Sequence, residues 1–99
     1  AIEVYNSRLL TGRGNRRARR FAEERGLPMV AGSDAHIAEM VGQAVTLVDA
    51  GEPTPEGVVA AVRAGRTEPA GKRTPWHISF RQAAGGAKRR VLARLRALR

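Results

Sequence analysis

Three short apolar runs, each followed by residues of helical or turn character, constrain this chain more than any other feature. Ile2, Val4 and Tyr5 fall in a five-residue run that ends at Asn6-Ser7, as a buried strand does. Residues 28–31 and 44–48 form two more such runs, the first closed by Gly32-Ser33 and the second following Gly42. Between the first two lies a helix expected over 15–25. Asn15 is its expected N-cap, Ala18, Phe21 and Ala22 give its spacing, and Gly26 with Pro28 stops it. A short helical turn is expected around 37–41. Thr54-Pro55-Glu56 opens another helix, with a hydroxyl at the cap, proline at the first position and an acid in the first turn. Val58, Val59 and Val62 are its expected buried stripe, and Gly65 its end. Strands alternating with helices through short loops predict an α/β fold of βα units on a parallel sheet.

Charge divides the chain in two. Residues 1–68 hold nine Arg or Lys and nine Asp or Glu, and residues 69–99 hold nine Arg or Lys and no acid, so the whole net charge of +9 belongs to the tail. Arginine supplies sixteen of the eighteen basic residues and alanine occurs seventeen times. A GC-rich coding sequence produces that bias, so arginine content alone says little about phosphate recognition. Arg16, Arg17, Arg19 and Arg20 crowd the first half of the first helix, the positive end of its dipole. They form either a solvated outer face or an anion-binding rim.

Glu68-Pro69-Ala70-Gly71 reads as a linker or surface loop. Thr74-Pro75 can open a helix carrying Trp76, Ile78 and Phe80, with Gly85-Gly86 breaking it. Beyond the break, Val91, Leu92, Leu95 and Leu98 share one helical face and Arg89, Arg90, Arg94, Arg96 and Arg99 surround it. Such a basic amphipathic tail over 72–99 suits nucleic-acid phosphates, an anionic membrane surface, or docking on the preceding domain with its arginines solvated. No stretch of about 18 apolar residues is present to span a bilayer. The absence of cysteine excludes disulfides and thiol catalysis and fits a reducing cytoplasm.

The one constellation with catalytic chemistry is Gly32-Ser33-Asp34-Ala35-His36. An Asp and a His two apart in an extended stretch point the same way, which makes half of a hydrolytic metal site at a strand end. The alternative is Asp34 capping the next helix while His36 packs.

Together with Ile2-Glu3-Val4-Tyr5-Asn6, Asn15, Gly26-Leu27-Pro28, Gly42, Thr46-Leu47-Val48 and Ala64-Gly65-Arg66-Thr67, this stretch resembles the last third of a PHP (polymerase and histidinol phosphatase) domain. The resemblance covers roughly 1–70, leaving 71–99 as a basic, helical C-terminal tail. It implies the C-terminal βα units of a distorted (β/α)7 barrel and a metal-dependent phosphoesterase. Metals such as Mn, Fe or Zn would there activate water against a phosphate ester. Carried over by position, Asp34 and His36 match the family's final D-x-H and would be metal ligands and catalytic residues. Asn6 and Arg66 are weaker candidates for contact with substrate, and an asparagine in a turn is the favoured reading of Asn6.

A PHP site also needs an upstream H-x-H, further histidines and a bridging Glu. The other histidine, His77, lies in the tail and reads as structural or exposed. The chain opens strand-like without an initiator Met, which reads as the C-terminal piece of a longer polypeptide. The expectation is therefore a parent phosphoesterase and a 99-residue portion inactive alone, with the remaining ligands upstream. The alternatives are a nucleic-acid-binding module or a PHP-derived domain without catalysis.

Overall fold

The computed structural model describes residues 1–9, 11–73 and 75–98, with the side chains of Trp76, Ser79, Gln82 and Ala83 left aside. Thr74 and Arg99, both used in the sequence reading, lie outside the described residues. The architecture is mixed α/β: β1 (Ile2–Asn6), α1 (Arg13–Arg25), β2 (Met29–Gly32), a 3-10 turn (Ala38–Met40), β3 (Ala44–Val48), α2 (Pro55–Arg63), β4 (Thr67–Gly71) and α3 (Trp76–Ala97).

β1 and β2 pair in parallel, from Ile2 opposite Met29 to Asn6 opposite Gly32. The register slips between Glu3 and Tyr5, leaving Val4 as the extra residue. Val4 is turned under α1, where it and Ala22 are almost wholly buried. α1 ends as its glycine predicts: Gly26 has φ +60°, and the N–H groups of Gly26 and Leu27 close on Glu23 and Ala22. Its start differs from expectation. Gly12 is the N-cap, and Asn15 lies inside the first turn with its side chain engaged elsewhere.

The fully parallel sheet is corrected by residues 67–71, which form a strand and not a linker. β4 runs antiparallel to β3, from Ala44 opposite Gly71 to Val48 opposite Thr67, with α2 spanning the far end of the pair. Only glycine fits at position 71, since a Cβ there would sit 2.6 Å from the Cα of Ala44. Proline at 69 argues against a strand only in a sheet interior, and β3–β4 is a two-stranded sheet. Among the described residues there are two such sheets and no closed barrel.

Threonine hydroxyls join the sheets. Residues 28, 30 and 32 of the second strand region face β1, where Pro28 and Gly32 accept from Ile2 and Ser7. That leaves the backbone of Met29 and Ala31 facing the other way. Thr46 Oγ1 accepts from Ala31 N–H and donates to Ala31 C=O, both at 2.9 Å, and Thr67 Oγ1 donates to Met29 C=O. Thr46 and Thr67 share the face of the β3–β4 pair that also carries the buried Ala44. These hydroxyls replace a sheet ladder along the open edge of β2.

α2 opens as the sequence predicts, with Thr54 Oγ1 accepting from Gly57 N–H at 3.1 Å and Pro55 in the first position. Gly57 is required because a Cβ would strike the Glu52 carbonyl. The expected valine stripe is corrected: Ala61 is the buried residue, while Val58 and Val59 are exposed. α3 is continuous through Gly85-Gly86, contrary to the predicted break. Two glycines cost a helix roughly 2 kcal/mol, and ten of the eleven residues from Ala87 to Ala97 are strong helix formers. At about 33 Å, α3 accounts for much of the 57 Å long axis, and among the described residues it packs closely on no other element. The chain exposes 7519 Å², where a compact chain of this mass exposes about 5,500 Å².

Candidate active site at the ends of the parallel strands

The first two strands deliver their C-terminal residues, Asn6 and Gly32, side by side. Ser7, fully buried, fastens this edge by donating from Oγ to the Ser33 carbonyl at 3.0 Å and from its N–H to Gly32. The chain then turns at Asp34, whose φ of +50° lies in the left-handed region that Asp tolerates better than most residues.

That turn replaces the extended geometry expected for D-x-H, and it too brings the two groups together. His36 Nδ1 lies 2.8 Å from the Asp34 carbonyl oxygen and 3.7 Å from Asp34 Oδ1. The carbonyl can only accept, so Nδ1 carries the hydrogen, and the lone pair of the neutral ring resides on Nε2. The carboxylate contact at 3.7 Å is too long for a hydrogen bond and is electrostatic. Both side chains are accessible, 51% for His36 and 44% for Asp34. A histidine held through one ring nitrogen by a backbone carbonyl, with the lone pair on the other, shares that feature with metal-ligating histidines.

Asn6 joins this pair. Its Nδ2 donates to Asp34 Oδ2 and to Glu3 Oε2, both at 3.3 Å. Its Oδ1 accepts from Arg8 N–H at 2.9 Å, an Asx turn, so the turn reading and the mouth reading of Asn6 describe one residue. Asn15 holds the Asn6 backbone from α1, accepting its N–H at 3.0 Å and donating to its carbonyl at 3.1 Å.

Glu3 and Asn15 are the members that sequence reasoning missed. Residues 3 and 6 share a side because of the slip at Val4, which breaks the alternation that would separate them. Gly32 leaves room for the Glu3 carboxylate, whose Oε1 would lie 2.7 Å from a Cβ there. Arg66 is not brought to the site. It precedes Thr67, which meets β2 at Met29, the opposite end of the strand and about 10 Å from its C-terminus. Its Nε donates to the Asp49 carbonyl at 3.2 Å.

As a metal site the set is partial. Asp34 supplies a carboxylate and His36 a ring whose lone pair is on Nε2, with Nδ1 3.7 Å from that carboxylate. No group of three His, Asp or Glu that could hold an ion occurs among the described residues.

A family model described as PHP-associated matches residues 12–67, the stretch that contains α1, the Asp34–His36 turn, the β3 strand and α2. Neither a curated protein nor a solved structure matches the chain. The match spans more than half of the 99 residues, and the protein belongs to the PHP-associated family.

Proposed function

We propose that this chain is the C-terminal portion of a PHP-type, metal-dependent phosphoesterase, with Asp34 and His36 as two of its metal ligands. The observation that carries the reading is the His36 ring, held through Nδ1 by the Asp34 carbonyl and 3.7 Å from the Asp34 carboxylate, with its lone pair on Nε2. A divalent ion such as Mn, Fe or Zn would supply activated water and neutralise phosphoryl charge. Asn6 orients the Asp34 carboxylate through Oδ2, and Asn15 holds Asn6.

In this reading the βα units belong to a distorted (β/α)7 barrel, residues 1–70 being its end and 71–99 a separate tail in a cytoplasmic protein. Two donors do not complete a multinuclear centre, so the remaining ligands come from preceding sequence and the 99 residues alone turn over nothing. Apolar surface left open on α2 and β3, at Val58, Val59, Val45 and Leu47, supports such a neighbour.

The test begins with the sequence preceding residue 1 in the intact gene. It should encode an H-x-H, further histidines and a glutamate. In that longer protein Asp34→Asn and His36→Ala should each lower Mn-dependent hydrolysis of a phosphate monoester by at least about a hundredfold. A preceding sequence without clustered histidines, or variants as active as wild type, contradicts the reading.

A second reading rests on the tail. α3 carries six Arg or Lys and no acid, which suits phosphate contacts along a nucleic acid. Binding to a random duplex that weakens steeply with salt and disappears on deleting residues 72–99 would favour it. A PHP-derived domain without catalysis differs from the first reading only in lacking the upstream ligands.

A further inference from the structure

Away from the Asp34–His36 turn, Arg16, Arg19 and Arg73 converge on one cleft of about 380 Å³, floored by Val4 and Tyr5 and flanked by Gly12 and Asn15. Arg16 and Arg19 reach it from successive turns of α1, and Arg73 from the chain just past β4. The guanidinium nitrogens of Arg73 and Arg16 come within 2.6 and 2.8 Å of the same point, where a Cβ on Gly12 would be. Two like charges are thus near neighbours. They also stand at the N-terminus of α1, the positive end of its dipole, where no side chain caps the free N–H groups and no acid occupies the first turn. None of the three arginines pairs with a carboxylate among the described residues, and Arg19 has only a 3.8 Å contact to the Met29 sulfur.

Repulsion between the guanidiniums and the helix end opposes this gathering of cations, and a bound anion relieves both at once. We infer that the cleft is a phosphate-binding site distinct from the Asp34–His36 pair. Guanidinium forks match phosphate oxygens bidentately, and the missing side chain at Gly12 leaves the space in which two forks can meet. The phosphate is either free or part of a phosphodiester chain. All four arginines crowding the start of α1 are exposed, but Arg16 and Arg19 line the cleft while Arg17 and Arg20 lie outside it. Asn15 borders the cleft and also holds Asn6, which places the site one residue from the Asp34 cluster. The inference needs neither metal nor turnover, so it and the phosphoesterase reading can fail separately.

Calorimetric titration of the 99-residue chain with inorganic phosphate, and separately with a short oligothymidylate, tests it. Arg16→Gln and Arg73→Gln should each weaken binding about tenfold, the value of a charge-assisted contact, while Arg20→Gln leaves it unchanged. Gly12→Ala, which keeps every charge but puts a methyl where the two guanidiniums meet, should weaken it too. This pattern with inorganic phosphate identifies free phosphate as a ligand, and the same pattern with the oligonucleotide alone identifies a phosphodiester. Equal losses in Arg20→Gln and Arg16→Gln, full affinity in Gly12→Ala, or no binding of either probe overturns the inference.

Discussion

In residues 1–71 several polar side chains bond the backbone of another element, whereas the cations of α3 are exposed. Thr46 and Thr67 close the open edge of β2, Ser7 fastens Ser33, and Asn6 and Asn15 tie β1 to α1. α3 carries six cations over 22 residues, and its Phe80, Val91, Leu92, Leu95 and Leu98 are 45–83% exposed. Both regions carry short-range sequence patterns of helical type. In the first, cross-chain hydrogen bonds fix one element against another. A helical pattern therefore specifies a helix and not where it docks.

Substitutions of the same kind should separate the two regions, and urea unfolding of the whole chain reads each. Ala22→Leu forces extra methylenes between α1 and β1 at a fully buried position and should cost about 1–3 kcal/mol, the largest effect. A cost near zero would mean that α1 is no more firmly packed than α3. Thr46→Val leaves both backbone groups of Ala31 without their partner and should cost about 1–2 kcal/mol, and restoring the hydroxyl with Ser should recover part of it. Thr54→Ala removes the cap of α2 and should cost about 1 kcal/mol. Leu95→Ala in α3 should change stability by less than about 0.5 kcal/mol. A larger loss there would show that α3 docks in solution on something its exposed stripe fits.

What could be read from the sequence was local. The Gly26 and Thr54 signals act within one helical turn, so they placed the end of α1 and the start of α2 without tertiary information. The strand at 67–71 was hidden because proline and glycine argue against a strand until a partner makes them tolerable, and Gly71 is required only by the approach of Ala44. Asn15 was misjudged because capping is the usual use of an asparagine before a helix, and its real partner lies nine residues away. The Asp34–His36 pair was visible from spacing, but the geometry that joins it is a left-handed turn and not strand alternation. Glu3 entered through a register slip that no periodicity reports.

The two histidines, one in each region, permit the most direct test. Zn²⁺ added to the full chain should shift the imidazole ¹⁵N signal of His36 Nε2 while Nδ1 stays protonated against the Asp34 carbonyl, with His77 unchanged and the shift lost in Asp34→Asn. Equal response from His77, or binding to His36 through Nδ1, would contradict the arrangement on which the metal site is built.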